Sequence, residues 1–164
     1  MGRQTTIELF KEEMKFSAGH FTIFSATHRE NFHGHNFTVY VALTGEVVDN
    51  GMFADYGGLK RQVIDQCRAW NETFFLPANS RHLQVERDAS GGVLARFNGE
   101  EMHFLARDVT VLPVDNVTIE ELARVFGERL VGDGAELARQ SIFQVKVKCS
   151  SGPGQFGSWE WTRG

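Results

Sequence analysis

Three histidines in the first quarter of the chain have the residue type and spacing of metal ligands. His33 and His35 are separated by one glycine and open a run with strand character, residues 36–43, and His20 is a candidate third ligand. Side chains at positions i and i+2 of a strand point to the same face, so we expect both imidazoles to lean the same way. Three protein nitrogens with an open fourth position are typical of catalytic zinc, whereas structural zinc is normally closed by four ligands. The alternative, two ordinary polar loop histidines, is the simpler interpretation of such a pair taken alone.

The elements around these histidines begin with a long predicted hairpin. A strand is expected over residues 5–17 and a second one over residues 34–48, and the polar residues 18–32 between them form a wide loop. Asp49–Gly51 carries turn-forming residues and ends the second strand. Residues 5–48 are therefore expected to form one long hairpin.

Two helices follow from apolar stripes at helical spacing. The first begins near residues 55–57 and ends near Trp70, and its stripe consists of Leu59, Val63, Cys67 and Trp70. The second begins at Thr118, which with Glu121 fits a capping box. A small hairpin is predicted over residues 80–105.

The remaining predicted strands complete a single domain. An extended run covers residues 108–114, a third long strand covers residues 142–148, and residues 159–161 close the sheet. This order predicts an α+β fold, with both helices on one face of an antiparallel sheet and one domain over residues 1–164.

The composition excludes several classes of partner. The net charge of −4 gives no reason to expect nucleic acid or an anionic membrane surface. No apolar run approaches the roughly 18 residues of a membrane span, and the N-terminus lacks the apolar region of a signal peptide. Cys67 and Cys149 lie far apart and form no metal or redox motif. We expect a cytoplasmic protein with reduced cysteines.

Four segments together resemble the motifs of the 6-pyruvoyl tetrahydropterin synthase / 6-carboxytetrahydropterin synthase family. Phe16–His20 is similar to F-x-A-x-H and His33–Phe37 to H-G-H-N-Y. Gly51–Lys60 is similar to G-M-V-x-D-F-x-x-L-K and Asn116–Ala123 to N-P-T-x-E-N-L-A. All four occur in the family's order, which is far more specific than any one of them.

The resemblance implies a tunnelling (T-) fold, with a four-stranded antiparallel sheet and two helices on one face. Subunits would join into trimeric barrels, two trimers would stack into a homohexamer, and active sites would lie between subunits. Zn²⁺ would be held by His20, His33 and His35. A dihydropterin-like small molecule would be the substrate.

Three positions depart from the family's catalytic pattern. Arg29 stands where the family's cysteine lies, four residues before His-Gly-His, and Asn71–Glu72 stands where an Asp–His pair is expected. Ser151 replaces the glutamate that anchors the pterin ring, and a hydroxyl cannot offer the paired oxygens that a planar N–H pair prefers. The ordinary pyruvoyl-forming reaction needs a proton relay that these changes remove.

Glu30 is the candidate base in place of the cysteine. A subgroup of the family has a similar R-E-x-x-H-G-H sequence and cleaves the side chain of dihydroneopterin triphosphate to 6-hydroxymethyl-dihydropterin. The alternative is a solvated loop residue. Glu72 is a candidate second acid–base group, although a solvent-facing residue at the helix end is the simpler interpretation. Thr118 and Ser151 are candidate substrate contacts.

Two functional hypotheses follow. The first is a zinc-dependent enzyme that acts on a dihydropterin or a related purine-derived molecule, by carbon–oxygen lyase or side-chain cleavage chemistry, with Glu30 as base. The second is a catalytically inactive relative that only binds a pterin-like ligand. The effect of replacing Glu30 distinguishes them.

Overall fold

The computed structural model describes residues 2–47 and 50–164. The strands are β1 (Arg3–Leu9), β2 (Lys15–His20), β3 (His33–Val47), β4 (Thr73–Pro77), β5 (Gln84–Arg87), β6 (Val93–Phe97), β7 (Glu100–Phe104), β8 (Val109–Leu112), β9 (Ile142–Ser150) and β10 (Gly157–Thr162). The helices are α1 (Gly57–Trp70), α2 (Ile119–Val131) and α3 (Ala135–Arg139), with a short 3-10 helix at Ala106–Asp108. The α+β class predicted from the sequence is confirmed. The turn expected at Asp49–Gly51 lies partly outside the described residues.

Seven strands form the main sheet, so the expected four-stranded sheet is wrong in its number of strands. Their order is β10-β9-β3-β2-β4-β8, and β1 pairs with the C-terminal half of β3. The sheet is also mixed rather than antiparallel, because β2 pairs in parallel with β4 and β4 pairs in parallel with β8.

The predicted strand over residues 5–17 is divided into β1 and β2. Lys11 and the two glutamates after it are exposed and turn the chain, and the Met14 N–H donates to Lys11 O at 2.9 Å. Met14 O then accepts from the Val39 N–H at 2.9 Å, so that pairing with β3 resumes at Lys15. The predicted hairpin with its wide loop is otherwise present.

The strand β4 was not predicted. Its central residues Phe74, Phe75 and Leu76 form a continuous apolar run, which is typical of a parallel strand covered on both faces. Such a short run lacks the alternation that identifies a half-buried strand. Its partner β8 lies within the extended run expected over residues 108–114.

Helices α1 and α2 lie on one face of the sheet, as predicted. The four residues of the α1 stripe are all buried. Trp70 of α1 contacts the rings of both Phe16 in β2 and Phe126 in α2. The two helices therefore share one core with the sheet. No helix in the described part of the chain is long and apolar enough to cross a membrane.

Thr118 caps α2, but only half of the predicted capping box forms. The Thr118 hydroxyl accepts from the Glu121 N–H at 3.3 Å. The Glu121 carboxylate pairs with Arg124 at 2.6 Å instead of reaching back to the cap.

The segment predicted as a small hairpin is a three-stranded antiparallel meander, β5-β6-β7. Its apolar residues form a second buried cluster with Phe21, Ile23 and Leu76. Phe74 packs against this cluster and also across Gly19 of β2, whose face is opposite to that of His20. The meander therefore covers the sheet face that the helices leave open.

Candidate metal centre

The structure brings the three candidate metal ligands together at one end of the sheet. His20, the last residue of β2, pairs directly with His33, the first residue of β3, and His35 follows on the same face. One ring nitrogen from each histidine lies within 4.8 Å of the other two. The ring centroids are 4.5, 5.2 and 4.9 Å apart.

Main-chain carbonyls fix the tautomers of two of these rings. His20 Nδ1 lies 3.0 Å from Val117 O, and His33 Nδ1 lies 2.9 Å from Asn31 O. A carbonyl only accepts, so each Nδ1 carries the hydrogen, and in the neutral ring Nε2 is then the nitrogen with the free lone pair. His20 Nε2 is buried and has no hydrogen-bond partner among the described residues. Metal-bound histidines typically donate their other N–H in this way, so the three residues fit a metal ion.

The neutral form of the imidazole is favoured at two positions. Burial lowers the pKa of His20, and the hydrogen bond to Val117 only partly opposes it. Burial, followed by the charge of His33, lowers the pKa of His35. Because a metal ion binds neutral imidazole, both effects favour binding near neutral pH.

Glu30 lies beside the cluster on a loop that main-chain pairing holds in place. Ile23 and Arg29 form an isolated β-bridge, and the Glu30 N–H donates to Thr22 O at 2.9 Å. The Thr22 N–H in turn donates to Glu30 Oε2 at 2.8 Å. The same oxygen lies 3.8 Å from Nε2 of His33. The carboxylate is thus fixed at the edge of the histidine cluster.

The surroundings of Glu30 favour its ionised form. Burial acts to raise the pKa of this carboxyl, but the hydrogen bond from Thr22 and the charges of His33 and His20 outweigh it. The pKa of Glu30 therefore lies below its ordinary value. An ionised carboxylate is the form able to accept a proton.

The other predicted site residues are not part of the cluster. Glu72 has an exposed side chain and a left-handed backbone, φ 60°, and its N–H donates to Ser17 O at 2.7 Å. Thr118 acts as the helix cap, one residue after the carbonyl that binds His20. Ser151 follows β9 in a turn where the Gly152 N–H donates to the Ser150 hydroxyl.

Both cysteines lie in the core. Burial raises the pKa of Cys67 to about 12, and burial together with Cys67 raises the pKa of Cys149 to about 12. These thiols are protonated and inaccessible at neutral pH. Neither can therefore replace the family's catalytic cysteine, whose position is taken by Arg29 in this chain.

Sequence reasoning missed the side chains that hold the loop carrying Glu30, residues 21–32, which we call the site loop. The Asn116 side chain accepts from the Ile23 N–H at 3.0 Å and donates to Ile23 O at 2.8 Å. This pair joins the loop to the segment before α2. Arg29, which the motif comparison marks only as a departure from the family, packs within the loop against Phe21 and Phe32 and against Phe97 of β6. Asn116 stood within a quoted motif, but its partner is 93 residues away.

Comparison with known proteins identifies relatives along most of the chain. The profile of the family described as 6-pyruvoyl tetrahydropterin synthase matches residues 9–156. A putative 6-carboxy-5,6,7,8-tetrahydropterin synthase of Methanocaldococcus jannaschii is 28% identical over 144 residues, covering 87% of this chain and 86% of the relative. A protein of Pyrococcus horikoshii with the same description is 27% identical, covering 81% of this chain and 76% of the relative.

Solved structures show the same fold. The 6-pyruvoyl tetrahydropterin synthase of Plasmodium falciparum superposes with a TM-score of 0.89 at 25% identity, covering 97% of this chain and 98% of the other. The Plasmodium vivax enzyme superposes with a TM-score of 0.89 at 23% identity, covering 98% and 99%. These neighbours support the expected T-fold. Because the family profile spans most of its length, the chain belongs to the 6-pyruvoyl tetrahydropterin synthase family.

Proposed function

We propose that this protein is a zinc-dependent enzyme that cleaves the side chain of a dihydropterin or a related purine-derived molecule. The observation that carries the proposal is the fixed position of the Glu30 carboxylate, 3.8 Å from a histidine of the three-histidine cluster. The relatives support the substrate class, because both curated ones are described as putative tetrahydropterin synthases.

The ligands of the proposed zinc ion are His20, His33 and His35. A bound zinc ion supplies a Lewis acid that polarises a hydroxyl or carbonyl oxygen of the substrate side chain. Three imidazoles also suit other first-row metals, so zinc is proposed because it is common at open three-nitrogen sites.

The role proposed for Glu30 is that of general base. It accepts the proton of the side-chain 2′-hydroxyl, the C1′–C2′ bond breaks with its electrons moving to C1′, and C2′ becomes an aldehyde. C1′ then takes up a proton, and the product is 6-hydroxymethyl-dihydropterin. The Thr22 N–H orients the carboxylate for this step. A solved Plasmodium vivax relative is likewise described as carrying a catalytic glutamate, replaced by alanine in one structure.

The ordinary pyruvoyl-forming reaction is a poor fit to this site. Both cysteines are in the core, and Glu72 is exposed outside the histidine cluster. The described site therefore offers one carboxylate base rather than a cysteine with an Asp–His pair. We also propose that the protein assembles into a homohexamer, as the family resemblance implies.

The test is turnover of 7,8-dihydroneopterin triphosphate by zinc-loaded protein, followed by liquid chromatography with mass detection. We expect 6-hydroxymethyl-dihydropterin as product, and loss of about 10²–10⁴-fold in kcat for Glu30→Gln, the usual contribution of a general base. Glu13→Gln, at an exposed turn, is the matched control and keeps the parent rate. Pyruvoyl product at a comparable rate would refute the proposal.

The second candidate function is ligand binding without catalysis. Ser151 favours it, because the usual carboxylate anchor and the usual proton relay are both absent from the chain's motifs. If the parent and Glu30→Gln are equally inert while a pterin still binds, this candidate is correct. Elemental analysis of protein purified without added zinc tests whether the histidines retain a metal, with His20→Ala expected to lose it.

A further inference from the structure

Arg29 is a largely enclosed cation directly beside Glu30. Its side chain is 17% exposed. Its guanidinium carbon lies 4.9 Å from the ring centroid of Phe21, 5.2 Å from that of Phe32 and 5.7 Å from that of Phe97. Two of these rings belong to the site loop and the third belongs to β6 of the meander. The cation is therefore enclosed between two parts of the chain that are distant in sequence.

The hydrogen bonds of Arg29 connect the same two parts. Nη1 donates to the main-chain oxygen of Glu30 at 2.8 Å. Nη2 donates to Oε2 of Glu100, at the start of β7, at 3.4 Å. The guanidinium thus joins the peptide of Glu30 to the edge of the meander.

An aromatic stack reinforces this connection. Phe32 contacts Phe21, Phe74 and Phe104, with ring centroids 5.4, 4.7 and 5.9 Å apart. Phe104 lies in the meander and Phe74 lies in β4. The loop that carries Glu30 therefore rests on a platform shared by the main sheet and the meander.

All three polar parts of Glu30 are consequently fixed. Thr22 binds both its N–H and its carboxylate, and Arg29 binds its carbonyl oxygen. Without the guanidinium, the peptide after Glu30 loses its hydrogen bond and the loop loses its tie to Glu100. The two Thr22 hydrogen bonds would still hold Glu30, but on a loop that has lost its connection to Glu100, so the distance from the carboxylate to His33 would vary more.

We propose that Arg29 is a positioning residue that ties the Glu30 loop to the meander and so holds the Glu30 carboxylate against the histidine cluster. The inference rests on the proposed function insofar as Glu30 acts as base. Direct binding of a substrate phosphate by Arg29 is the less favoured role, because the guanidinium already contacts three rings and Glu100. The meander then helps to position the base, although it lies on the opposite face of the sheet from the histidines.

The test compares Arg29→Met and Arg29→Lys with the parent, and uses Arg107→Met as control. Arg107 is exposed, and its one ion pair among the described residues is with its neighbour Asp108. We expect Arg29→Met to lower kcat by about 10²-fold, the scale of a displaced catalytic group. KM should change by no more than about twofold, because the lost interaction orients the base rather than the substrate. Arg29→Lys should recover part of the rate, and the control should keep it.

A double-mutant cycle with Glu30→Gln separates positioning from general stability. If Arg29 acts through Glu30, then Arg29→Met lowers the rate of the Glu30→Gln protein by less than about threefold. An equal loss in both backgrounds would overturn the proposal. A large rise in KM with kcat unchanged would also overturn it, in favour of phosphate binding.

Amide hydrogen exchange tests the geometry without any turnover. In Arg29→Met the Glu30 amide, bonded to Thr22 O, should exchange about tenfold faster, while the Val39 amide keeps its rate. If the parent turns nothing over, the proposed function fails and this exchange alone decides the role of Arg29. Unchanged exchange at Glu30, or faster exchange throughout the core, would overturn the proposal. Should Arg29→Met not fold, Glu100→Ala removes the distal hydrogen-bond acceptor and should give a local increase at the same amide.

Discussion

At the scale of single residues, main-chain carbonyls decide which imidazole nitrogen is free. Val117 O and Asn31 O accept from the Nδ1–H groups of His20 and His33, so in the neutral rings both Nε2 atoms have a free lone pair. A metal ion therefore meets two ligands already in the required tautomer. The buried Nε2 of His20 has no hydrogen-bond partner among the described residues, and a buried polar atom is favourable only when something binds it, as a metal ion would.

The lowered pKa values of His20 and His35 predict how the stability of metal-free protein depends on pH. Just below the ordinary histidine pKa of 6.5, His20 and His35 are protonated to a larger extent in the unfolded chain than in the folded protein. Stability therefore rises with pH wherever the unfolded state binds more protons. With a chelator present to remove metal, we expect the free energy of unfolding to decrease as the pH is lowered from 7.5 to 5.5. Urea titration at the two pH values measures this.

The control for this prediction is His20→Asn, which removes one of the two groups. Its free energy of unfolding should vary less over the same interval. The carboxyl groups with lowered pKa have ordinary values of 4.5 or below, so their effects appear at more acid pH. A parent protein whose stability is the same at both pH values would contradict the assignment.

The histidine cluster was predictable because its residues lie in short motifs that can be recognised in the sequence. His33 and His35 differ by two residues on one strand, and His20 belongs to a motif in the neighbouring strand. The residues that orient them were not predictable in the same way. Val117 lies 97 residues from His20, and nothing about a valine marks its carbonyl as a hydrogen-bond acceptor for a histidine.

At the scale of elements, Gly19 lets the sheet and the meander approach each other. A Cβ atom at Gly19 would lie 2.5 Å from Cδ2 of Phe74, which is too close for any real contact. Phe74 in turn packs on Phe32 and Phe104. The glycine between Ala18 and His20 is therefore required on the face opposite the histidines.

We expect Gly19→Ala to destabilise the protein by about 1–3 kcal/mol, the usual cost of overpacking. The displaced Phe74 should also loosen the platform beneath the Glu30 loop. Gly58→Ala is the control, because nothing lies within 4 Å of a Cβ there and the residue is in α1. Urea unfolding measures both, and equal stability of Gly19→Ala and the parent would show that Phe74 moves freely.

The elements were predictable where their residues alternate or form stripes. Helix α1 was predicted from its apolar stripe, and strand β9 was predicted from its alternating apolar and polar residues. The short strand β4 does not, because its pattern depends on being covered by α1 on one side and the meander on the other. The break before Met14 also went unpredicted, because apolar residues continue on both sides of it.

At the scale of the whole molecule, the described chain leaves surfaces that a single copy does not cover. The outer edges of β10 and β8 have no paired strand among the described residues. Unpaired edges of this kind favour association with another strand. Several large apolar side chains are also exposed, namely Phe10, Phe24, Phe32, Met52, Leu105 and Phe156.

The proposed homohexamer predicts a particle of about six times the 18.5 kDa chain mass. Light scattering coupled to size exclusion measures it, over a tenfold range of protein concentration. Closed rings of identical subunits give one mass across that range, whereas open edge-to-edge growth gives a mass that rises with concentration, because only closure satisfies every edge. A single species of 18.5 kDa would refute the assembly. It would also mean that the histidines and Glu30 must act without residues from a neighbouring subunit.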